Sequence, residues 1–248
     1  MSDWFRDAFD EFYLTLYSHR NQEEAARFVK VLGKLISLDN LHLLDVCCGE
    51  GRFLRAFGEA GVVGFGLDLS EALLRRLVAA HPASAGRVVR GDMREFSFRS
   101  RSFDVCINMF TSFGYFQTLE EELRVIREAH RVLRPGGLFV IDHANPVWVK
   151  ENLEPRSVRE VGDFLVEEKR RILDGGKAVE KTVVIRSAEA PSAVLREYRE
   201  RVSLFPRYEL EKMLEQAGYT VFRLLGTYDG DSFDEPTSCR LIALARTV

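Results

Sequence analysis

Glycines and carboxylates near the start of the chain have a spacing that could bind a cofactor. Residues 43–53, LLDVCCGEGRF, run from an apolar, strand-like stretch through Gly49 and Gly51 into a helical pattern. Glycine lets the backbone approach a ligand closely, and the N-terminus of the following helix favours negative groups. Asp68 ends the next apolar run, where a carboxylate would contact a ribose diol, although Asp68 and Ser70 could instead cap the next helix. The spacing predicts a cofactor at these strand ends.

The glycine pattern leaves the type of cofactor open. A nicotinamide cofactor normally lies on a Gly-x-Gly-x-x-Gly turn, but counting from Gly49 the last position is Leu54, so the pyrophosphate would lack its full glycine cradle. A nicotinamide-dependent oxidoreductase therefore stays an alternative function. A regulatory module that binds a cofactor without catalysis is a second alternative, because binding motifs alone do not establish a reaction.

The elements that must position these residues alternate between strands and helices. Short runs rich in Val, Ile, Leu and Phe alternate with helical patterns over the first 145 residues, which is typical of a parallel sheet. Residues 4 to about 35 predict one or two amphipathic helices, and the RPGG run at 134–137 predicts the end of a later helix. The predicted strands are Leu41–Cys47, Val62–Leu67, Arg87–Arg90, Phe103–Phe110, Gly137–His143, Tyr219–Leu225 and Cys239–Ala245.

The pattern changes after Asn152 to three extended, half-polar runs at 158–173, 177–187 and 194–205. A DGG turn joins the first two runs, which predicts an antiparallel meander. We therefore predict an α/β protein with a Rossmann-like, seven-stranded, mostly parallel sheet, helices on both faces and an inserted antiparallel β lid. The predicted domains are a helical cap at 1–40, a core at 41–152 and 206–248, and the lid at 153–205.

The order of these motifs resembles that of the class I S-adenosylmethionine-dependent methyltransferases over nearly the whole chain. In that family, an Asp-x-Gly-x-Gly-x-Gly turn surrounds the methionine end of the cofactor, and it corresponds here to Asp45, Cys47, Gly49 and Gly51. Cys47 is a departure, because the family has glycine there. We expect cysteine to be tolerated at this position only with a negative φ.

The resemblance implies S-adenosylmethionine as the cofactor and assigns further contacts to it. Asp68 corresponds to the acidic residue on the ribose hydroxyls, with Leu69 against the adenine. Asp92 corresponds to the residue that accepts a hydrogen bond from the adenine amino group, with Met93 beside it. The remaining implied cofactor contacts are Tyr17 of the cap and the end of the fourth strand, at Asn108, Met109 and Phe110.

The layout is most similar to that of small-molecule N-methyltransferases, such as glycine N-methyltransferase and aminosugar N,N-dimethyltransferases. It implies methyl transfer by in-line displacement to a nitrogen or oxygen of a small-molecule acceptor. Because open α/β sheets bind ligands at the carboxyl ends of their strands, we predict His143 as the catalytic base and Tyr115 as a catalytic orienting group. The predicted acceptor contacts are Tyr13, Phe113, Tyr115, His143 and Asn145.

Composition and charge argue against nucleic-acid and membrane partners. The 35 Lys and Arg residues against 38 Asp and Glu residues give a net charge of -3, which supplies no global attraction to phosphates. No apolar run reaches the ~18 residues that span a bilayer, and the first residues are too acidic for a secretory signal. We expect a cytoplasmic enzyme, and exposed lid edges leave a homodimer open.

The cysteines and one acidic loop raise the question of a metal site. Cys47, Cys48, Cys106 and Cys239 match no zinc spacing, and we expect small buried side chains in a reducing compartment. Residues 229–235, DGDSFDE, lack the spacing of an EF-hand loop. We therefore predict no metal and leave the role of this loop open.

Overall fold

The computed structural model describes residues 4–9, 11–16 and 22–248. In chain order the strands are β1 (His42–Val46), β2 (Val63–Asp68), β3 (Val88–Arg90), β4 (Phe103–Asn108), β5 (Leu133–Ala144), β6 (Arg156–Val161), β7 (Phe164–Leu173), β8 (Ala178–Ser187), β9 (Val194–Ser203), β10 (Tyr219–Leu225) and β11 (Arg240–Thr247). The helices are α1 (Phe5–Ala8), α2 (Glu11–Leu16), α3 (Gln22–Leu35), α4 (Arg52–Glu59), α5 (Glu71–Ala80), α6 (Leu119–Val132), α7 (Pro146–Asn152) and α8 (Arg207–Gln216).

A seven-stranded sheet forms the centre of the described part of the chain, in the spatial order β3-β2-β1-β4-β5-β11-β10. Strands β1 to β5 pair in parallel, whereas β11 is antiparallel to both of its neighbours. The strand order reverses between β1 and β4, and such switch points open a crevice at the carboxyl ends of the strands. This topology confirms the predicted Rossmann-like sheet.

Adjacent residues of β1 show why helices cover both faces of this sheet. Side chains alternate along a strand, so Leu43 and Leu44 point to opposite faces. Leu43 belongs to an apolar cluster that contains Phe57 of α4, and Leu44 belongs to a second cluster that contains Ile126 of α6. Both leucines are fully buried, which is the pattern of a parallel strand covered on its two sides.

A second, antiparallel sheet of four described strands, β6-β7-β8-β9, follows α7 and forms the inserted lid. Val166, Val183 and Ile185 are buried on its inner face in a cluster with Leu16 of α2. The run at 158–173, which we predicted as one strand, contains β6 and β7 and is broken at Gly162, whose φ is 56°. A left-handed residue turns the chain there, which a pattern of half-polar residues does not indicate.

Among the other predicted boundaries, the larger differences concern the N-terminal stretch and the start of β5. The N-terminal stretch forms three described helices, α1 to α3, rather than one or two. Strand β5 begins at Leu133, four residues before its predicted start, because Leu133 pairs with Phe103 before the register shifts. The RPGG run thus ends α6 and also begins the strand. In the described residues, no helix is long and apolar enough to cross a membrane.

The lid contacts the core closely at Gly114, in the loop that follows β4. The backbone N–H of Ser203, at the end of β9, donates a 2.7 Å hydrogen bond to the carbonyl of Gly114. Gly114 has a φ of 98°, and a Cβ atom added to it would lie 2.5 Å from the carbonyl oxygen of Ser203. Only glycine satisfies both the conformation and the spacing.

We expect Gly114→Ala to lower the free energy of unfolding by about 3 kcal/mol, because it combines backbone strain with overlap at Ser203. Gly162→Ala is the matched control. Gly162 also has a positive φ, but it has open space around its Cβ position, so its loss should be about 1–2 kcal/mol. Urea denaturation measures both values, and equal losses would contradict the close approach at Gly114.

Candidate functional site

A cavity of ≈ 290 Å³ lies at the carboxyl ends of β1, β2, β3 and β4. The turn after β1 and the loop after β4 form its base. Aromatic side chains of the N-terminal helices and three residues of the lid complete its walls. The cavity therefore lies at the switch point of the sheet, where the sequence predicts ligand binding.

The turn after β1 is held in an unusual conformation against the end of β2. Cys47, Gly49 and Gly51 all have positive φ values, of 62°, 54° and 77°. The backbone N–H groups of Cys47 and Cys48 both donate to the carbonyl of Leu67, at 2.7 and 3.1 Å. Our expectation of a negative φ at Cys47 is wrong, because these bonds fix the backbone in the left-handed region despite the strain on a cysteine.

Asp68, at the end of β2, connects this turn to helix α5. One carboxylate oxygen accepts a 2.8 Å bond from the backbone N–H of Gly49, and the other accepts a 2.8 Å bond from that of Ser70. The Ser70 side chain also caps α5, as the alternative reading of the sequence suggested. Burial raises the pKa of Asp68, and the backbone hydrogen bonds oppose that rise.

Asp92 lies in the loop after β3 and pairs with Arg94. Its two oxygens accept hydrogen bonds of 2.7 to 3.1 Å from the Arg94 backbone and guanidinium. Although partial burial favours the neutral acid, the hydrogen bonds from Arg94 keep the pKa of Asp92 below its usual range. The side chain thus faces the cavity as a carboxylate.

Asp45 and Arg52 bring opposite charges to the base of the cavity. Burial strongly raises the pKa of Asp45, Asp68 raises it further, and Arg52 lowers it. Arg52 donates a 2.8 Å hydrogen bond to Glu24 of α3, and its guanidinium lies 4.9 Å from the centre of the Phe110 ring. Arg52 is thus oriented at the start of α4, where an anionic group of a ligand would be favoured.

The loop after β4 begins with two strained residues that line the cavity. Phe110 and Thr111 have φ values of 61° and 58°, although neither is glycine. Asp142, at the end of β5, holds both: its carboxylate accepts from the Phe110 N–H at 2.7 Å, and its carbonyl accepts from the Thr111 N–H at 3.0 Å.

Asp142 is in turn held by side chains from the last part of the chain. The Arg240 guanidinium donates two 2.6 Å hydrogen bonds to its carboxylate, and the Tyr228 hydroxyl donates a third. Burial strongly raises the pKa of Tyr228, and Asp142 raises it further, so the hydroxyl keeps its proton. Asp142 is fully buried, so these donors replace the water it would otherwise bind.

The same loop is fixed at its far end by Glu122 of α6. Its two carboxylate oxygens accept hydrogen bonds from the backbone N–H groups of Phe116 and Gly114, at 2.8 and 3.2 Å. Tyr115 lies between these two contacts and lines the cavity. Burial raises the pKa of Glu122 to about 7, although the two hydrogen bonds oppose the rise.

Aromatic rings of the N-terminal helices close the cavity from above. The Trp4 ring lies 4.8 Å from that of Tyr115, and the Phe9 ring lies 4.9 Å from that of Tyr13. The hydroxyl of Ser70 donates a 2.6 Å hydrogen bond to the carbonyl of Phe9. This bond ties the cap to the start of α5, beside the carboxylate of Asp68.

The lid contributes Lys181, Glu200 and Val202 to the lining of the cavity. Lys181 of β8 and Glu200 of β9 are directly opposite in the strand register, and Lys181 Nζ lies 2.7 Å from Glu200 Oε2. Both side chains are largely buried, so this charged pair lies inside the molecule rather than on its surface.

The residues present fit S-adenosylmethionine, the cofactor that the resemblance implies. A carboxylate has about four lone-pair sites, so Asp68 can still accept from ribose hydroxyls after binding two backbone N–H groups. Leu69 and Met93 supply apolar surface for a purine, and Asp92 supplies an acceptor for its amino group. Arg52 at the start of α4 could bind the carboxylate of the methionine part.

The structure brings most of the predicted site residues together. The predicted residues that line the cavity are Tyr13, Asp45, Cys47, Gly49, Asp68, Leu69, Asp92, Met93, Met109, Phe110 and Tyr115. Gly51 follows in the turn and packs against Leu77 of α5. Tyr17 lies outside the described residues. The contacts of all these residues with a ligand stay predictions.

Besides Gly51, four predicted residues lie outside the cavity lining, and their contacts do not support the predicted roles. Asn108 is fully buried and donates to the Val46 carbonyl, so it joins β4 to β1. Phe113 is buried with Phe205. Asn145 caps α7 and donates 2.7 Å hydrogen bonds to the carbonyls of residues 235 and 238. Each side chain is used in packing or in backbone bonding.

His143, which we predicted as the catalytic base, is the fourth residue outside the cavity lining. Its Nε2 accepts a 3.2 Å hydrogen bond from the Phe205 N–H, so the neutral ring carries its proton on Nδ1, which has no partner among the described residues. Burial lowers the pKa of His143 to about 4, and Asp142 only partly opposes this. A fully buried ring with an occupied acceptor nitrogen cannot reach an acceptor in the cavity, so its position does not support the predicted role of base.

Sequence reasoning missed several lining residues for lack of a local motif. They are Trp4, Phe5, Phe9, Arg52, Thr111, Ser112, Phe116, Lys181, Glu200 and Val202. The aromatic run at 4–9 was a usable signal for the cap. The pair of Lys181 and Glu200 in the lid gave no such signal, because it depends on the register between β8 and β9.

The acidic loop at 229–235 has its own partners. Asp229 forms a 2.7 Å ion pair with Arg27 of α3, and Asp231 accepts from the Thr227 hydroxyl at 2.7 Å. Within residues 4–9, 11–16 and 22–248, no group of three His, Cys, Asp or Glu side chains could hold a metal ion.

Comparison with known proteins places this geometry among enzymes. A family profile described as a methyltransferase domain matches residues 44–141. A dTDP-3-amino-3,6-dideoxy-alpha-D-glucopyranose N,N-dimethyltransferase of Streptomyces fradiae is 31% identical over 185 residues, which cover 72% of this chain and 70% of the relative. A dTDP-3-amino-3,4,6-trideoxy-alpha-D-glucopyranose N,N-dimethyltransferase of Streptomyces venezuelae is 33% identical over 147 residues, and the match spans 58% of each chain.

A solved structure agrees in fold over nearly the whole chain. The S-adenosylmethionine-dependent methyltransferase from Clostridium acetobutylicum superimposes with a TM-score of 0.79 at 15% identity, covering 95% of this chain and 96% of the other. At this identity the likeness concerns the fold.

Asp142→Asn should lower the free energy of unfolding by about 3–5 kcal/mol, because it leaves Arg240 buried without its carboxylate. Tyr228→Phe is the control: it removes one hydrogen bond to the same carboxylate and should cost about 2 kcal/mol. Urea denaturation measures both losses. A similar loss in the two variants would show that the charge of Asp142 does not matter.

Glu122 should make stability depend on pH. Its folded pKa of about 7 lies above its ordinary value of 4.5, so the folded state binds the extra proton. The contribution of Glu122 to the free energy of unfolding should therefore be fully present below about pH 4.5 and decrease through pH 7, by up to roughly 3 kcal/mol.

Glu122→Gln should remove this slope between pH 5 and 8, whereas Glu120→Gln, an exposed change on the same helix, should keep it. Urea midpoints measured across that pH range test the difference. An unchanged slope in Glu122→Gln would assign the pH dependence to another group.

Proposed function

Because this chain belongs to the class I S-adenosylmethionine-dependent methyltransferase family, with S-adenosylmethionine as its cofactor, we propose that it methylates an amino group on a small molecule of the aminosugar type. The cavity between the strand ends, the aromatic cap and the lid carries this proposal, since the residues that fit the cofactor and the residues of the cap and lid line the same space. The named activities of the Streptomyces relatives, N,N-dimethylation of dTDP-linked aminosugars, support the choice of nitrogen and of the acceptor class.

The chain's own residues would bind the two reactants, orient them and exclude water. When bound, S-adenosylmethionine supplies a methyl group on a sulfonium that is already a good leaving group. The carboxylates at the ends of β2 and β3 would hold the nucleoside part. Asp142 and Glu122 fix the loop after β4 at both ends, which holds Thr111 and Tyr115 in place to orient the acceptor.

The cap and lid cover the acceptor side. Trp4, Phe9 and Tyr115 form an apolar cover in ring contact, and residues of the lid line the same cavity. Such a cover excludes water from the reacting atoms. We propose that Tyr13 and Tyr115 contact the acceptor there.

The two alternative functions are not favoured. A nicotinamide-dependent oxidoreductase would need a glycine at Leu54, and the family match is to methyltransferases. A regulatory module without catalysis would not explain a cavity with room beside the cofactor residues.

We also propose a cytoplasmic location and the division into cap, core and lid given above. All four cysteines are free, which is typical of a reducing compartment. A homodimer through the lid edges stays a prediction.

We expect the purified protein to convert S-adenosylmethionine to S-adenosylhomocysteine in the presence of a dTDP-linked 3-amino or 4-amino sugar. Mass spectrometry should detect acceptor products that carry one and two added methyl groups. The matched control is the same nucleotide sugar with a hydroxyl in place of the amino group, which should not react. Methylation of the hydroxyl compound alone, or stabilisation by NAD(H) without any by S-adenosylhomocysteine, would contradict the proposal.

A further inference from the structure

Lys181 and Glu200 place a charged pair beside apolar side chains on the inner face of the lid. Val183 and Ile185 share this face of β8 with Lys181, and Val202 shares it on β9 with Glu200. Burying two charges is expensive, and apolar residues of similar volume are often at least as stable. The pair therefore calls for an explanation beyond stability.

The two oxygens of Glu200 are in different situations. Oε2 lies 2.7 Å from Lys181 Nζ, whereas Oε1 is buried and has no hydrogen-bond partner among the described residues. A buried acceptor without a donor carries a desolvation penalty. Because the terminal torsion of a Glu side chain is broad, a small rotation can present this oxygen to the cavity that the side chain lines.

The strand that carries Glu200 is fixed beside the reacting region. Val202, two residues further along β9, also lines the cavity. The Ser203 N–H donates to Gly114, the neighbour of Tyr115 in the loop after β4. Glu200 is thus carried by a strand that contacts the loop after β4, next to Tyr115, which we propose contacts the acceptor.

The cationic side chains among the described lining residues already have carboxylate partners: Arg52 pairs with Glu24, and Lys181 pairs with Glu200. Neither is bonded to Oε1 of Glu200. An amine that enters as an ammonium ion brings N–H groups, and these are the donors that Oε1 lacks.

We infer that Glu200 binds the amino group of the acceptor through Oε1, while Lys181 orients the carboxylate through Oε2. This inference rests on the proposed methylation of an amine. Glu200 takes a proton from the ammonium group, and the freed nitrogen lone pair forms the N–C bond to the methyl carbon. The C–S bond breaks at the same time, and its electron pair stays on sulfur.

Sinefungin tests this assignment without turnover. It is an analogue of S-adenosylmethionine in which an amine-bearing carbon replaces the methyl-bearing sulfur, so its ammonium group lies where the methyl group is transferred. Isothermal titration should show that the protein binds sinefungin more tightly than S-adenosylhomocysteine. In Glu200→Gln this preference should decrease by on the order of 10-fold or more, with the affinity for S-adenosylhomocysteine unchanged.

Glu197→Gln is the matched control, because Glu197 is exposed on the other face of β9. It should keep the full preference for sinefungin. The ratio of two affinities in one variant also corrects for any loss of folded protein. With a dTDP-linked aminosugar, Glu200→Gln should lower kcat/KM by about 10- to 100-fold.

The outcomes separate this inference from the proposed function. An unchanged sinefungin preference in Glu200→Gln overturns the role of Glu200, even if the protein methylates aminosugars. A preference that depends on Glu200 supports the role, even if no aminosugar is methylated, and the proposed acceptor is then wrong.

Discussion

The buried carboxylate of Asp142 is the interaction on which the shape of the site depends. It belongs to β5, it accepts from the loop after β4, and its charged partner Arg240 belongs to β11. Phe110 and Thr111 persist in a left-handed conformation, at a cost of about 1–3 kcal/mol each, only where the surroundings leave no alternative. The Asp142 side chain thus connects β5 and β11 to the loop after β4 and fixes the conformation of that loop, which lines the cavity.

The residues that we propose for the cofactor could be located from the sequence, and the structure brings most of them to one cavity, because their signals are local. Gly49 and Gly51 belong to one turn, and Asp68 and Asp92 each end a recognisable strand or follow one. The conformation of Cys47 could not be predicted, because the bonds that force its positive φ come from Leu67, twenty residues further along the chain. The seven-stranded sheet followed from the alternation of strand and helix patterns.

The acceptor half was less accessible to sequence reasoning for a physical reason. A position at the end of a strand identifies a residue as a candidate for the site. The face of the strand on which its side chain lies then determines whether that side chain reaches the cavity or the core. Asp142 and His143 are adjacent on β5, yet His143 points into the core beside Phe205 and Asp142 supports the loop. The lid pair of Lys181 and Glu200 depends on strand register, which no short run of residues encodes.

The hydrogen bond between Ser203 and Gly114 has a mechanical consequence. It joins the last residue of β9 to the segment that Glu122 holds on the other side. Displacement of the lid must therefore break this bond or pull on the Gly114 backbone. The position of β9 and the conformation of the loop that lines the cavity are thus mechanically coupled, so a movement of one strains the other.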